Sequence, residues 1–283
     1  MSGAQAGGPQ PGRGRGRIEE ITALSNPKVK ALKALQMKKE RQETGLFLAE
    51  GLKLITDALA AGWQVTTLAV HAKVKDQPHV ADAIRGALDQ GALVMLVDDA
   101  VLEKISRRDN PQMVVGVIRQ RLVDLADLDP GDSVVVALEA VRDPGNLGTI
   151  IRTVDSVGGA GVILVGDTTD PFALEAVRAT MGSLFHVPLA ATDLDGFLAW
   201  VKAKQLPLFG THLKGAVDHR TPTYPAQMVL AMGNEQAGLT ERLADACDTL
   251  IKIPMRGAAD SLNLAVATGI ALYEARRSRL PPA

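Results

Sequence analysis

Val134-Val-Val-Ala-Leu-Glu-Ala-Val-Arg-Asp-Pro-Gly-Asn-Leu-Gly-Thr-Ile-Ile-Arg152 decides how this chain folds. Val134–Leu138 is a continuous apolar run with three consecutive valines, the pattern of a strand buried on both faces. Pro144 and Gly145 make a turn, and Asn146 is placed to cap a helix. Leu147, Ile150, Ile151 and Val154 then recur at helical spacing and give that helix one apolar face. A buried strand that feeds an amphipathic helix is the repeating unit of a parallel, covered sheet.

The same alternation continues downstream. Strands are expected at Gly161–Val165, Leu206–Gly210, Met228–Met232 and Thr249–Ile253, with helices near 172–182, 194–204, 239–246 and 261–279. Residues 133–283 therefore read as an α/β domain with a parallel sheet. Upstream, strands at Leu46–Ala49, Val65–Val70, Leu93–Val97 and Met113–Ile118 alternate with helices at Gly51–Ala61, Val80–Asp89 and Ala100–Arg107. They define a smaller α/β domain within residues 18–120, joined by a linker at 121–132 that ends in Asp-Pro-Gly-Asp. Asn26-Pro27 opens a helix over 27–42, with Leu32 and Leu35 on one side and Lys28, Lys30, Lys33, Lys38, Lys39 and Arg41 around it. That run is either a solvated face or a phosphate-contacting one. Residues 1–17 are rich in Gly, Pro and Arg and cannot bury enough surface to order themselves. They read as a flexible tail, either plainly solvated or touching RNA.

Composition limits the function classes. A chain of 283 residues fits two domains, and 46% apolar with 22% charged residues is ordinary for a soluble globular protein. Nine aromatic residues, 3% of the chain, are too few for a surface that stacks successive bases. Cys247 is the single cysteine, so neither a disulfide nor a Cys-based zinc cluster is expected, and a reducing, cytoplasmic setting fits. The five histidines show no metal spacing, and no metal site is expected. No apolar run is long enough to span a membrane and none resembles a signal peptide. A formal net charge of −1 argues against a protein coated in positive charge. The charge is unevenly placed, however. Residues 1–41 hold nine Lys or Arg against three Glu, a local balance of +6, so the rest carries −7.

Ligands of open parallel sheets sit beyond the carboxyl ends of the strands. Three such exits are loaded with small and polar residues. In the first, Gly148 and Arg152 are one helical turn apart, which leaves a lane for an anion to reach the guanidinium. Spacing alone favours a plainer reading, an Arg152–Asp155 pair. In the second, Met228–Met232 runs into Gly233-Asn-Glu-Gln-Ala-Gly238. Gly233 permits close backbone approach of a ligand, Asn234 and Glu235 supply polar groups, Gly238 turns the chain, and Thr240 caps the next helix. A plain strand–turn–helix junction is the alternative, and a site is favoured. In the third, Ile253 through Ala267 is a small-residue loop leading to a helix, with Asp260 or Ser261 as cap and Asn263 in the first turn. That helix is apolar nearly all round, so it is buried inside its domain or against another subunit. His212 follows a strand exit and either lines the site or has a surface role, the latter favoured. Gly145-Asn-Leu-Gly148 with Asp167 loosely suggests a dinucleotide site, but the G-x-G-x-x-G spacing is absent.

Taken in order, the three exits resemble the three motifs of the SpoU (TrmH-like) branch of the SPOUT RNA methyltransferases. The matching segments are Asn146–Arg152 with Gly158-Gly159 behind it, Gly233–Leu239, and Ile253-Pro-Met255 through Ser261-Leu262-Asn263. Ser25–Lys30 and Phe47–Gly51 resemble the start of that family's ribosomal-protein-like substrate-binding domain, so the likeness covers nearly all of residues 20–279. The resemblance implies a deep trefoil knot in the C-terminal domain, against the usual rule of unknotted chains. It implies S-adenosylmethionine bound at Thr211, Gly233, Asn234, Gly238, Ile253, Met255, Leu262 and Ala267. It also implies a homodimer through the C-terminal helix and a 2′-O-methylated ribose in RNA as product, with Arg152, Asn146, Glu235, Ser261 and Asn263 as the catalytic set. An arginine side chain keeps its proton throughout the physiological range and is a poor general base. Arg152 is therefore expected to clamp a phosphate and stabilise the developing alkoxide, with a phosphate oxygen or water taking the proton. The two-domain layout resembles the ribosomal RNA enzymes more than the compact tRNA ones. A tRNA methyltransferase, a catalytically silent RNA-binding relative and a dinucleotide-dependent oxidoreductase are the competing readings.

Overall fold

The computed structural model describes residues 16–106, 111–212, 216–258 and 261–282. The stretch expected as a tail lies, for residues 1–15, outside the described residues. In chain order the elements are β1 (Arg17–Glu20), α1 (Pro27–Ala34), α2 (Lys38–Thr44), β2 (Leu46–Glu50), α3 (Leu52–Ala60), β3 (Val65–His71), α4 (Pro78–Asp89), β4 (Leu93–Val97), α5 (Asp99–Ser106) and β5 (Val114–Arg119). There follow β6 (Val134–Glu139), α6 (Pro144–Ser156), β7 (Gly161–Val165), α7 (Leu174–Thr180), β8 (Leu189–Thr192), α8 (Leu194–Lys204), β9 (Leu208–Thr211), β10 (Val217–Asp218), β11 (Met228–Met232), α9 (Glu241–Ala246), β12 (Thr249–Lys252) and α10 (Leu264–Arg276).

Two compact units result. Residues up to Ala34 and Glu50–Arg119 form the smaller, and Leu35–Ala49 with the residues from Gln120 onward form the larger. In the smaller unit the strands lie in the order β1-β4-β3-β5, with β1 and β3 parallel to β4 and β5 antiparallel to β3. Arg17, expected as the end of the tail, is instead the first residue of an edge strand, paired with Leu93.

The basic helix expected over 27–42 is two helices, and Arg41 explains the break. Its Nη1 donates to the carbonyls of Leu35 and Gln36, both at 2.9 Å. In a continuous helix those carbonyls would accept from residues 39 and 40. The same guanidinium is buried against Asp170, with Nη2 2.6 Å from Oδ2. Arg41 thus anchors residues 35–49 within the larger unit and is no part of a solvated basic face. Beside it, Phe47 and Phe172 pack with ring centroids 5.0 Å apart.

The larger unit carries a seven-stranded parallel sheet in the order β10-β12-β9-β11-β6-β7-β8. All six residues of β6 are buried. Val135, Ala137, Ile163, Val165, Val229 and Ala231 pack on one side against Phe197, Trp200 and Val201 of α8. The short strands β8 and β10 add to those expected. Chain order along the sheet reverses between β6 and β11, and that is where a parallel sheet opens its ligand crevice.

Candidate active site

Two exits meet at this reversal point. α6 begins at Pro144, two residues earlier than expected. Its cap is Asp143, whose carboxylate accepts from Asn146 N at 2.6 Å. Asn146 is thereby released from capping. Its amide Nδ2 donates to Glu235 Oε1 at 3.3 Å, and its Oδ1 accepts from Asn263 Nδ2 at 2.8 Å. Asn263 in turn is the cap of α10, with Oδ1 accepting from Ala265 N and Val266 N. This corrects the expected cap: Ser261 is exposed and lies before the helix, and Asp260 is outside the described residues.

These bonds determine each amide's orientation. The Asn263 oxygen faces two backbone N–H groups, so its NH2 must point at Asn146. The Asn146 oxygen accepts there, which leaves its NH2 for Glu235. Glu235 also accepts from Arg142 N and Asp143 N, each at 3.2 Å. Burial raises the Glu235 carboxyl, but hydrogen bonds from its own N–H, from Asp143 N, from Asn146 and from Arg142 N outweigh that and hold it below the usual carboxylate range. An ionised carboxylate with its oxygens committed in this way is a positioning group and a poor proton acceptor.

Asn234 ties the second exit to the first. Its Nδ2 donates to Ala140 O at 2.8 Å, and its Oδ1 accepts from Gln236 N and Ala237 N. Gly233 does permit a close backbone approach, but of its own chain: a Cβ there would collide with Gly238 and Leu239. Gly238 adopts φ 72° and turns the loop, and Thr240 caps α9 as expected.

Arg152 stands apart. It is exposed and makes no hydrogen bond or ion pair with another described residue, so the Arg152–Asp155 pair favoured by spacing is not formed. The open lane at Gly148 is not there either. Gly148 is buried where α6 crosses α7, and a Cβ would run into the Ala176 carbonyl and come within 2.6 Å of the Ala179 methyl. That glycine serves helix packing. Ser261 likewise makes no hydrogen bond with another described residue.

The remaining candidates lie along one sheet edge. β12, β9 and β11 are neighbours, so Thr211 at the end of β9 and the exits at Gly233 and Ile253 lie side by side. Met255 and Leu262, each 37% exposed, present apolar side chains beyond β12. A Cβ at Gly238 or Gly257 would meet nothing within 4 Å, so space is open there. Ala267 is half-buried in the first turn of α10. Burial, with Asp248 and Glu139 adding to it, pushes the Cys247 thiol up to about 12, which removes it as a nucleophile. His212 is half-buried, and its backbone N–H donates to Ile251 O. Among the described residues no cluster of His, Cys, Asp or Glu is placed to hold a metal, and no helix is long and apolar enough to cross a membrane.

Two residues carry no motif of their own, and the exits depend on both. Glu139 is a buried carboxylate ending an otherwise apolar strand, and that incongruity is its one sequence signal. Ala140 has φ 51°, a left-handed conformation that nothing in the sequence announces.

Residues 133–273 match the SpoU rRNA Methylase family and residues 26–116 match the MRM3-like substrate binding domain. The 23S rRNA (guanosine(2553)-2'-O)-methyltransferase RlmP of Bacillus subtilis (strain 168) is 32% identical over 92% of this chain and 100% of its own. The 23S rRNA (uridine(2479)-2'-O)-methyltransferase of Streptomyces viridochromogenes is 31% identical over 85% of this chain and 86% of its own. A crystal structure of an AdoMet-bound rRNA methyltransferase from Sinorhizobium meliloti superposes with a TM-score of 0.89, at 51% identity, over 93% of this chain and 99% of that one. With the motifs, the sheet and the relatives in agreement over nearly its whole length, the chain belongs to the SpoU methylase family.

Proposed function

We propose that this protein transfers the methyl group of S-adenosylmethionine to a ribose 2′-hydroxyl of ribosomal RNA. The observation that carries the reading is the Glu235–Asn146–Asn263 chain, which joins all three motif exits at the reversal point of the sheet. Relatives named as ribosomal RNA 2′-O-methyltransferases, alike over most of their length, support the substrate class.

The residues present fit the cofactor. Exposed Met255 and Leu262 offer apolar faces for a flat heterocycle, and the room beside Gly238 and Gly257 leaves backbone approachable. Thr211, Gly233, Asn234, Gly238, Ile253, Met255, Leu262 and Ala267 would hold it. When bound, S-adenosylmethionine supplies an already activated methyl group. The chain's own task is to orient the ribose and stabilise its oxygen as charge develops. Asn146, Glu235 and Asn263 form the rigid wall of that site, with Ser261 at its rim. Arg152, committed to no partner within the described chain, clamps the adjacent phosphate and stabilises the alkoxide. Glu235 is not the base, so the proton leaves to a phosphate oxygen or water.

Two further readings follow from the family. The strand order, with β11 between β6 and β9 and β12 beyond β9, supports a knotted C-terminal segment. Val266, Ile270 and Tyr273 form an exposed apolar stripe on one face of α10, which supports a homodimer through that helix. Sedimentation of the purified protein checks the dimer.

The test of the activity is transfer of labelled methyl from S-adenosylmethionine to RNA from cells lacking the protein. Label is expected in ribosomal RNA as 2′-O-methylribose. Label confined to tRNA would replace the substrate, and no label in either would sink the enzymatic reading.

A further inference from the structure

The Glu139 carboxylate is buried at the end of β6, and the proposed reaction does not use it. Its Oε2 accepts from Thr240 N at 2.8 Å and its Oε1 from Thr240 Oγ1 at 2.7 Å. The Thr240 hydroxyl accepts from Leu243 N at 3.3 Å as the cap of α9, while its single proton goes to Glu139. A carboxylate taken out of water is costly unless donors reach it, and here both donors come from one residue. Thr240 is therefore held at its backbone and its side chain together.

Glu139 is adjacent to Ala140, whose carbonyl accepts from Asn234 Nδ2. Neighbouring residues of the β6 exit thus hold both ends of the loop Asn234–Thr240. Within the loop, Asn234 and Gly238 exchange backbone hydrogen bonds at 3.0 and 2.9 Å. Every one of these ties is made within this chain, so none of them needs a ligand to form.

We propose that Glu139 is a positioning residue for the cofactor: acting through Thr240, it holds the 234–240 loop in the shape that receives S-adenosylmethionine. The inference rests on assigning Gly233, Asn234 and Gly238 to the cofactor side of the site. A loop shaped in advance loses little freedom on binding. Releasing it therefore weakens cofactor affinity and leaves the apparent KM for RNA alone.

The experiment is calorimetric titration of the full chain with S-adenosylmethionine, with amide exchange of the 234–240 loop measured without cofactor. Glu139→Gln and Thr240→Val are each expected to raise the Kd about tenfold, the effect of losing hydrogen bonds to a charged group. Amide exchange at Thr240 should quicken in both, and Thr240→Ser should recover the affinity lost in Thr240→Val. Asp170→Asn, which breaks the buried pair with Arg41 and bonds to neither Glu139 nor Thr240, should lower the melting temperature without moving the Kd. Wild-type affinity in folded Glu139→Gln and Thr240→Val overturns the proposal, as does an equal loss of affinity in Asp170→Asn. Leu262→Asp separates the two levels of the reading. If it binds cofactor like wild type, the site assignment fails. If it abolishes binding while Glu139→Gln and Thr240→Val bind normally, the clamp alone fails.

Discussion

The junction of the β6 and β11 exits and the third turn of α6 differ in how much of their polar chemistry is already committed. At the junction Glu235, Asn146, Asn234 and Asn263 are bonded to one another or to backbone. Two turns into α6, Arg152 is exposed and without a partner among the described residues. On the proposed reading, the first region takes its bonds from the chain itself, and the second takes its partner from the RNA. Groups that fix geometry gain from early commitment, since reorganisation during the reaction would cost rate. A group meant for an RNA phosphate gains from staying free, because an internal ion pair would have to break first.

The largest test of that contrast is Arg152. Arg152→Ala should lower turnover about 10²–10³-fold, the usual effect of removing a donor aimed at a developing oxyanion. The Kd for S-adenosylmethionine should not move. Arg152→Lys keeps the charge but not the fork, and should recover only part of the rate. Near-normal turnover in Arg152→Ala would break the comparison at its centre.

Glu235 gives a smaller, pH-dependent effect. Its carboxyl titrates below the ordinary value of 4.5 in the folded protein. A depressed carboxylate contributes stability that is present above its unfolded value and is lost as pH falls through the folded one. Glu235→Gln should therefore melt below wild type at neutral pH, and the gap should narrow as pH drops under about 4.5. Turnover of the variant should fall roughly tenfold at neutral pH, from loosened bonds to a charged acceptor. A melting gap that stays constant into acid would mean that Glu235 carries no charge worth keeping.

How legible these regions were in the sequence follows from the same physics. Val134–Leu138 and Met228–Met232 are central strands buried on both faces, so their apolar runs stand out, and the polar clusters after them mark the exits. β1, Arg-Ile-Glu-Glu, is an edge strand whose one apolar side chain is exposed, and nothing in its composition separates it from a tail. β8 and β10 are the two edge strands of their sheet; β10 has only two residues, and β8, Leu-Ala-Ala-Thr, has no Val, Ile or aromatic residue of the kind that marks β9 and β12. Arg41 looks like part of a basic helix face because its partner, Asp170, is 129 residues away. Gly148 and Arg152 share a helix side as their spacing requires, but spacing does not show that α7 fills the space at one and leaves the other open. The caps of α6 and α10 differ from the expected ones for a local reason. Asp143, Asn146, Ser261 and Asn263 are all capping residue types, and which side-chain oxygen meets which N–H depends on where the helix starts.

The smallest effect lies at Ala140, on the committed side of the contrast. Its φ of 51° is held by its own N–H, which donates to Val165 O at 3.1 Å, and by its carbonyl, which takes Asn234 Nδ2. A left-handed L-residue costs roughly 1–2 kcal/mol. Glycine would remove that strain but has a freer unfolded chain, a cost of about 0.5–1 kcal/mol. The two partly offset, so Ala140→Gly should stabilise the protein by between about 0 and 1.5 kcal/mol, a rise of no more than about 3–6 °C in a domain of this size. Both hydrogen bonds survive the change, because neither uses the methyl group. A fall in melting temperature would show that the methyl packs favourably and that the junction stores no strain. A rise would show that the exit holds a bent backbone in place for the sake of the loop beside it.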